Sequence, residues 1–374
     1  MSRSDLSRVA HHCLTLCEIP SVIGDERALA DAVASQFAAR WPMLRLGNNL
    51  VFGGPTGPAR PLLAFFGHLD TVPGEAHPPR LLPDRLVALG ASDMKAGLAI
   101  MTSLMETQTP GSMPFDLAFV FYDREEGPYL ENGLGPTLEV LEWKHSITLG
   151  ICLEPSANRL QLGCLGSLHA RLTFDGRRAH SARPWEGENA IHKAGALITA
   201  LAGRGVRQVT FGGLTYREVM SLTLAEGGSA RNVVPDRFTV NLNFRFAPGK
   251  SLDEAQREVE ALVDGAAAVT FTDLSPAGEV PLAHPWVRLL TDRLGLVPEP
   301  KQAWTDVGRL SLAGIPAVNL GPGEPTQAHQ AGEWVPLSHL DDGLALIERF
   351  LDHLTAVVAQ GHPAEAQPSS PTST

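Results

Sequence analysis

Cysteine is scarce in this sequence of 374 residues, which contains only four. Cys13 and Cys17 lie close together in the chain, whereas Cys152 and Cys164 are far from both. So few and so unevenly spaced thiols exclude a disulfide framework and a thiolate zinc site. We interpret them as small buried residues of a protein that stays in a reducing compartment.

Positive charge is also limited, because 30 Lys and Arg residues stand against 41 Asp and Glu residues and leave a formal net charge of −11. Such a balance opposes binding to nucleic-acid phosphates or to anionic lipid. Long hydrophobic runs are missing: no stretch approaches 18 uninterrupted apolar residues, and the opening MSRSDLSRVAHHC lacks the apolar core of a signal peptide. We therefore expect a cytoplasmic protein with no nucleic-acid or membrane partner.

What the sequence does contain is typical of a globular α/β protein, with 44% hydrophobic and 19% charged residues. The length favours two domains, or one large domain with an insertion. Short apolar runs predict buried strands at 62–66, 116–122, 147–153 and 317–320, and helical patterns such as 95–107 lie between some of them. Strands that alternate with helices predict a mainly parallel sheet with helices on both faces.

The segment 166–283 has a different pattern, in which apolar and polar residues alternate as in strands with one wet face. Strands are predicted at 167–174, 218–226 and 238–246 with a last one near 268–271, and helices near 188–203 and 251–264. This order resembles the split βαβ, ferredoxin-like arrangement of α+β domains. We predict a catalytic domain of residues 1–165 and 284–360, an inserted domain of residues 166–283, and a disordered tail at 361–374.

Acidic residues or histidines follow each predicted core strand. Ligands in open α/β sheets bind outside the carboxyl ends of the strands, so these side chains are expected to converge. Asp93 precedes the helical pattern at 95–107 and is a further candidate. The candidates after the strands are His68, Asp70, Glu125, Glu126, Glu154 and His329.

Each candidate also has an ordinary structural interpretation when it is taken alone. Asp93 fits the N-cap of the following helix, and Glu125 with Glu126 fits a solvated turn. Together, two histidines and three or four carboxylates suit a pair of divalent cations that share a bridging carboxylate, and imidazole ligands favour zinc. A pair of cations polarises a carbonyl and needs a carboxylate that moves protons, so the residues indicate metal-assisted hydrolysis.

Five motifs in register resemble those of the dizinc aminoacylase and carboxypeptidase (M20-type) family of metallohydrolases. The resemblance covers nearly the whole chain except the tail. It implies a zinc-peptidase-like catalytic domain with an inserted dimerisation domain, and two Zn²⁺ per subunit that Co²⁺ or Mn²⁺ could replace. The motifs are Gly67-His-Leu-Asp-Thr-Val-Pro73, Ser92-Asp-Met-Lys-Ala-Gly97, Tyr122-Asp-Arg-Glu-Glu126, Leu153-Glu-Pro155 and Ala328-His329.

The same resemblance implies a role for each matching residue. Asp93 would bridge the two metals, Glu125 would act as general base and then general acid, and Asp70 would orient a ligand histidine. The remaining metal ligands would be His68 and Glu154 on one zinc, and Glu126 and His329 on the other.

The inserted segment is similar to the desuccinylase branch of that family, through Gly163-Cys-Leu-Gly-Ser167, residues 178–191, Gly213-Leu-Thr-Tyr-Arg-Glu218 and Asn232-Val-Val-Pro235. This similarity implies hydrolysis of N-succinyl-LL-2,6-diaminopimelate to succinate and LL-2,6-diaminopimelate, a step of lysine biosynthesis, by a homodimer. His180 would reach the partner subunit's site and stabilise the oxyanion. Arg245, Asn232 and Thr305 would contact the substrate, with Arg245 and Asn232 at a carboxylate.

Two other functions stay open at this point. Within the same chemistry, the chain could be an N-acetyl-ornithine or N-acetyl-lysine deacylase, or a related amidohydrolase or dipeptidase. Outside enzymes, it could be a silent relative that binds a metal or an acylated amino acid. Glu125 argues against the silent relative, because a binding protein has no need of a proton-transferring carboxylate beside a complete set of ligands.

Overall fold

The computed structural model describes residues 3–57, 60–74 and 77–360, so the predicted disordered tail lies outside the described residues. The helices are α1 (Arg8–Cys17), α2 (Arg27–Phe37), α3 (Ala96–Thr107), α4 (Leu134–Val140), α5 (Ala190–Arg204), α6 (Leu252–Val263), α7 (Pro285–Arg288), α8 (Val307–Leu312) and α9 (Leu337–Ala359). The strands from β1 to β9 are β1 (Met43–Leu46), β2 (Asn49–Gly53), β3 (Leu62–His68), β4 (Arg80–Leu81), β5 (Arg85–Val87), β6 (Asp116–Tyr122), β7 (Ile147–Pro155), β8 (Gln161–Leu162) and β9 (Gly166–Asp175). The later strands are β10 (Ala179–His180), β11 (Arg207–Phe211), β12 (Leu214–Gly227), β13 (Val233–Val234), β14 (Arg237–Phe246), β15 (Ala268–Ser275), β16 (Glu299–Pro300), β17 (Ala317–Gly321) and β18 (Trp334–Pro336).

The chain divides into two compact units. Of the described residues, the first unit comprises those from 3 to 163, 281–299 and 305–360, and the second comprises residues 164–280 and 300–304. Residues 300–304, predicted as part of the catalytic domain, belong to the second unit, where the Leu165 N–H donates to the Ala303 carbonyl and Trp304 Nε1 donates to the Pro276 carbonyl. The assignment of catalysis and dimerisation to these units stays a prediction.

The first unit is built on a sheet with the strand order β1-β2-β6-β3-β7-β17-β8-β16. Its centre is parallel, because β3 pairs in parallel with β6 and β7, and β7 pairs in parallel with β17. Every residue of β3 and β6 is buried. This burial explains the continuous apolar runs in the sequence, since a parallel sheet is covered on both faces. The carboxyl ends of these strands therefore meet at one edge of the sheet.

Helix α3 lies close to this edge because it has a glycine at a position with no room for a side chain. A Cβ atom on Gly97 would come within 2.3 Å of the Leu153 carbonyl oxygen at the end of β7. Glycine therefore allows the start of the helix to approach the strand that ends in Glu154 and Pro155.

A separate small sheet in the first unit has the order β18-β5-β4. Trp334 of β18 pairs with Val87 of β5, so the chain just after His329 is tied to the chain just before the 90–93 segment. Two segments more than 200 residues apart in sequence thus become neighbours. For example, the hydrogen bond between Gly90 and Glu333 joins residues that are 243 positions apart.

The second unit contains a sheet with the order β11-β12-β14-β9-β15, in which the neighbouring strands are antiparallel. One face of the sheet joins α5 and α6 in a core that includes Phe174, Leu242 and Val259. The other face is polar, as the alternating burial of β14 shows. Strand β11 and the short pair β10 with β13 were not predicted, because they are short or lie in segments without regular alternation.

These observations confirm the predicted fold class, an α/β unit with a mainly parallel sheet and a second α+β unit with strands and helices in split βαβ order. The predicted strands and helices are found with shifts of a few residues at their ends. Among the described residues, no helix has both the length and the apolar character needed to cross a membrane.

Candidate metal centre

The candidate site lies at the carboxyl edge of the parallel sheet in the first unit. His68 is the last residue of β3 and pairs in register with Tyr122, the last residue of β6. Glu125 and Glu126 follow β6 after a turn, and Glu154 lies near the end of β7. Parallel register therefore brings to one place side chains that are distant in sequence.

A first group of donor atoms comprises His68, Asp93 and Glu154. His68 Nε2 lies 3.2 Å from Asp93 Oδ1 and 4.0 Å from Glu154 Oε1. Donor atoms of the three residues all lie within 4.8 Å of one another. One nitrogen and two carboxylate oxygens at such distances form a set that a single divalent cation could bind.

A second group comprises Asp93, Glu126 and His329. His329 Nε2 lies 2.9 Å from Glu126 Oε2 and 3.7 Å from Asp93 Oδ2. Asp93 thus directs Oδ1 toward His68 and Oδ2 toward His329. A carboxylate placed in this way could bind a cation on each side.

Asp70 contacts residues of both groups. His68 Nδ1 lies 3.0 Å from the Asp70 carbonyl oxygen and 3.5 Å from its Oδ1, so a proton on Nδ1 would leave the Nε2 lone pair for a cation. The Asp70 carboxylate also accepts the backbone N–H groups of Glu125 at 3.1 Å and Glu126 at 2.9 Å. The prediction for Asp70 was only that it orients His68. In the structure its carboxylate also holds the backbone of the two adjacent glutamates.

The pKa values of three residues at the site lie above their ordinary values. Burial raises the pKa of Glu125 well above its usual value, and the nearby carboxylates of Glu154 and Glu126 raise it further. Burial lowers the pKa of His68, but hydrogen bonds to Asp70 and Asp93 outweigh burial and hold it well above the ordinary value. The hydrogen bond to Glu126 raises the pKa of His329 to about 9. Each shift favours retained protons, which bound cations would replace.

The donor set fits a pair of divalent cations by its chemistry. Two imidazoles and three carboxylates, one of them shared, are ligands suited to borderline metals such as zinc, cobalt or manganese. The fourth predicted carboxylate, Glu125, belongs to a third group with His68 and Glu126, so it lies within reach of the same centre. The arrangement suggests a dinuclear metal site.

Sequence reasoning did not identify Glu333 as part of this centre. Its buried carboxylate accepts backbone N–H groups from the segment that contains Asp93. Burial raises the pKa of Glu333 to about 7. In the sequence Glu333 lies four residues after His329, and nothing there connects it to the segment that contains Asp93.

Thr305 is buried, and the next residue, Asp306, belongs to a buried ionic network. Asp306 accepts hydrogen bonds from Asn132 Nδ2 and Arg309 Nε, both at 2.9 Å. The Arg309 guanidinium lies 3.8 Å from the centre of the Tyr129 ring. The network ties the Thr305 segment to the loop that follows Glu126, and neither its residues nor their pairing was predicted.

The remaining predicted site residues belong to the second unit. His180 is exposed in β10, and its Nδ1 accepts the Ala182 N–H, which leaves Nε2 as the nitrogen able to donate. Asn232 is exposed, and its carbonyl accepts the Ser181 N–H. Arg245 is half-buried on the polar face of β14 and donates from Nε to Asn243 Oδ1. Their predicted roles toward a substrate stay predictions.

The fold and the donor set together indicate a metal-dependent hydrolase and suggest a dinuclear site. Residues 162–270 match the family model described as the peptidase dimerisation domain of the M20 group. A succinyl-diaminopimelate desuccinylase of Corynebacterium glutamicum is 36% identical over 349 residues, which cover 90% of this chain and 94% of that protein. A Mycobacterium tuberculosis protein, provisionally given the same name, is 39% identical over 342 residues, with 90% and 96% covered.

Solved structures agree on the fold. A tripeptidase of Staphylococcus aureus superposes with a TM-score of 0.76 at 21% identity and covers 95% of this chain and 99% of its own. An M20 metallo-carboxypeptidase of Sulfolobus solfataricus gives 0.74 at 16% identity, with 94% and 100% covered. The chain belongs to the M20 family of metallohydrolases. It is a metal-dependent hydrolase by this membership, as the sequence motifs predicted.

Proposed function

We propose that the protein removes succinate from N-succinyl-LL-2,6-diaminopimelate, and thereby serves the diaminopimelate route to lysine, with two Zn²⁺ per subunit. The observation that carries this proposal is the Asp93 carboxylate, whose two oxygens face two different histidines beside Glu125. The desuccinylases that are 36% and 39% identical support the choice of substrate. A cavity of about 1000 Å³ beside His329, lined in part by Arg80 and Leu89, offers room for an acylated amino acid.

In this proposal His68, Asp93 and Glu154 would hold one cation, and Glu126 and His329 would hold the other together with Asp93. Bound there, the cations would supply Lewis acidity at the amide carbonyl and lower the pKa of water.

The chain's own residues would manage the protons. Glu125 takes a proton from the attacking water and then delivers it to the nitrogen of the leaving amine, so that amide and water become carboxylate and amine. In the metal-free protein, burial and neighbouring carboxylates hold the pKa of Glu125 well above its usual value, and cations bound beside it would lower that pKa, so that the carboxylate is free to accept a proton. The carbonyl and carboxylate of Asp70 keep His68, Glu125 and Glu126 oriented.

We also propose that the second unit forms a homodimer, in line with the match to a dimerisation domain. His180 would then donate from Nε2 to the developing oxyanion in the partner's site, and Arg245 and Asn232 would hold a substrate carboxylate. Thr305 would contact the substrate from the first unit.

The test is a hydrolysis panel with zinc-loaded protein. The substrates are N-succinyl-LL-2,6-diaminopimelate, N-acetyl-ornithine, N-acetyl-lysine and short dipeptides, and kcat/KM is compared among them. We expect the succinylated substrate to be preferred. Preference for an acetylated amino acid or a dipeptide would replace the proposed substrate, and no hydrolysis of any substrate by metal-loaded protein would favour the binding relative.

A further inference from the structure

A single buried carboxylate holds the segment that contains Asp93. Glu333 is only 3% exposed. Its Oε1 accepts the N–H groups of Ser92 at 2.7 Å and Asp93 at 2.8 Å, and its Oε2 accepts the N–H of Gly90 at 2.7 Å. Three short hydrogen bonds thus join one side chain to three of the four residues in the segment 90–93.

The backbone around Asp93 makes such an acceptor necessary. Asp93 has φ −118° and ψ 94°, and Met94 has φ −132° and ψ 38°, so neither residue is helical. Gly90 has a φ of +75°, and a Cβ atom there would lie 2.4 Å from Thr71 Cγ2. Residues 90–93 precede α3, and N–H groups at the start of a helix have no acceptor within it, so these buried N–H groups need partners elsewhere in the fold.

Glu333 is itself held on both sides. Its carbonyl accepts the Ala88 N–H at 3.0 Å, and the next residue, Trp334, accepts the Ser92 hydroxyl at 3.0 Å. The Ser92 hydroxyl oxygen also accepts the Glu324 N–H at 3.0 Å. The carboxylate therefore acts from a fixed position against the segment 90–93.

Both oxygens of Glu333 are directed at backbone N–H groups, which separates this carboxylate from the metal ligands. Among the described residues, the groups of donor atoms that could hold a cation do not include it. Its position four residues after His329 means that one short segment supplies a ligand for one cation and support for the bridging carboxylate.

We propose that Glu333 is a positioning residue, which fixes the Asp93 carboxylate so that its two oxygens face His68 and His329 and which thereby sets metal affinity. The inference rests on the proposed dinuclear site. Partners that orient metal ligands typically change metal affinity by ~10–100-fold when they are replaced. A carboxylate that fixes the backbone of the bridging ligand affects both cations at once.

The test is Glu333→Gln, a variant of nearly the same shape. Its amide oxygen can still accept N–H groups, but its NH₂ group must face at least one N–H of the segment, where a donor meets a donor. We expect the apparent affinity for Zn²⁺, measured by chelator competition, to fall ~10–100-fold for both ions. We also expect the visible absorption spectrum of the Co²⁺-loaded variant to differ from that of the wild-type protein.

Asp116→Asn is the matched control. Asp116 is also buried, and it accepts the Thr56 N–H at 2.7 Å, the Thr56 hydroxyl at 2.8 Å and Arg60 Nε at 2.9 Å. It begins β6, at the opposite end of the strand from Glu125 and Glu126. We expect this variant to lose stability and to keep wild-type Zn²⁺ affinity.

Wild-type affinity in Glu333→Gln, or an equal loss of affinity in Asp116→Asn, would overturn the inference. If Glu333→Gln does not fold, hydrogen–deuterium exchange of the wild-type chain decides instead. Peptides covering residues 90–93 should exchange slowly even after removal of metal, and rapid exchange there would contradict the proposal. Since metal binding is measured without substrate, a wild-type protein that binds two metals but does not hydrolyse succinyl-diaminopimelate would remove the proposed function alone.

Discussion

Asp70 accepts the backbone N–H of Glu126 at 2.9 Å while its own carbonyl oxygen lies 3.0 Å from His68 Nδ1. One residue thus orients a predicted ligand of each proposed cation. The relationship arises because Asp70 follows the end of β3 and Glu126 follows the end of β6, and these strands are parallel neighbours. It makes Asp70 a sensitive position for both metal binding and proton transfer.

Asp70→Asn should weaken metal binding and slow turnover, each by ~10–100-fold. An amide can accept one of the two N–H groups of Glu125 and Glu126, but its NH₂ group opposes the other. Zn²⁺ affinity and kcat measure the effect. Asp123→Asn is the control in the loop that contains Glu125 and Glu126, because Asp123 accepts a hydrogen bond from Asn48 instead. Similar losses in both variants would contradict the specific part given to Asp70.

Glu125→Gln should still bind two metals per chain and lose ~10²–10⁴-fold in kcat. Glutamine keeps the shape of the side chain but cannot accept and return a proton. Metal content by elemental analysis and turnover of the succinylated substrate test the two parts separately. Turnover near the wild-type value would remove Glu125 from its proposed role.

Mixing Glu125→Gln with His180→Ala subunits should restore activity that neither variant has alone. If His180 acts in the partner's site, about a quarter of the sites in a random mixture would combine an intact Glu125 with an intact His180. The control replaces the second subunit with the double variant, which offers no intact pair. Activity of the mixture no higher than the control would show that the two residues act within one subunit, and full activity of His180→Ala alone would show that His180 has no catalytic part.

Metal binding to the metal-free protein near pH 7.5 should release protons. The pKa of His329 is raised to about 9 by Glu126, so its imidazole is largely protonated there and must lose that proton to bind a cation. Apparent affinity should therefore increase with pH up to about 9. Calorimetry in buffers of different ionisation enthalpy measures the release, and His329→Ala should release fewer protons.

The same raised pKa has a consequence for the stability of the metal-free protein. Because the folded-state pKa of His329 exceeds the ordinary value of about 6.5, its ion pair with Glu126 contributes fully below that pH and is lost as the pH rises through about 9. The effect is small, since His329 is half-exposed and solvent screens the pair. Denaturation across this pH window should show a decline that is shallower in His329→Ala than in the wild-type protein.

Gly97→Ala should destabilise the first unit by ~1–3 kcal/mol and weaken metal binding. The added Cβ would meet the Leu153 carbonyl oxygen, a backbone atom next to the predicted ligand Glu154. Gly195→Ala in α5 is the control, because a Cβ there has no neighbour within 4 Å and should be neutral or stabilising. Equal effects of the two changes on metal binding would contradict this explanation.

The parallel sheet could be predicted from the sequence because strands buried on both faces consist of continuous apolar runs. The runs at 62–66 and 116–122 are almost wholly apolar and correspond to β3 and β6. The abrupt change to polar residues after them identified His68 and Glu125 as candidates. Ordinary interpretations remained for each residue, and it was the number of motifs in register, rather than one residue, that favoured a family.

The sequence by itself determined the fold class, the type of chemistry and the candidate ligands, since burial pattern and residue type are local properties of the chain. Only the tertiary structure decided which oxygen of Asp93 faces which histidine, and that Glu333 holds the turn across a separation of 240 residues. The physical reason is that a carboxylate which accepts backbone N–H groups recognises atoms that nearly every residue has. Such a partner leaves no pattern at the positions it supports, and the folded chain alone brings it into place.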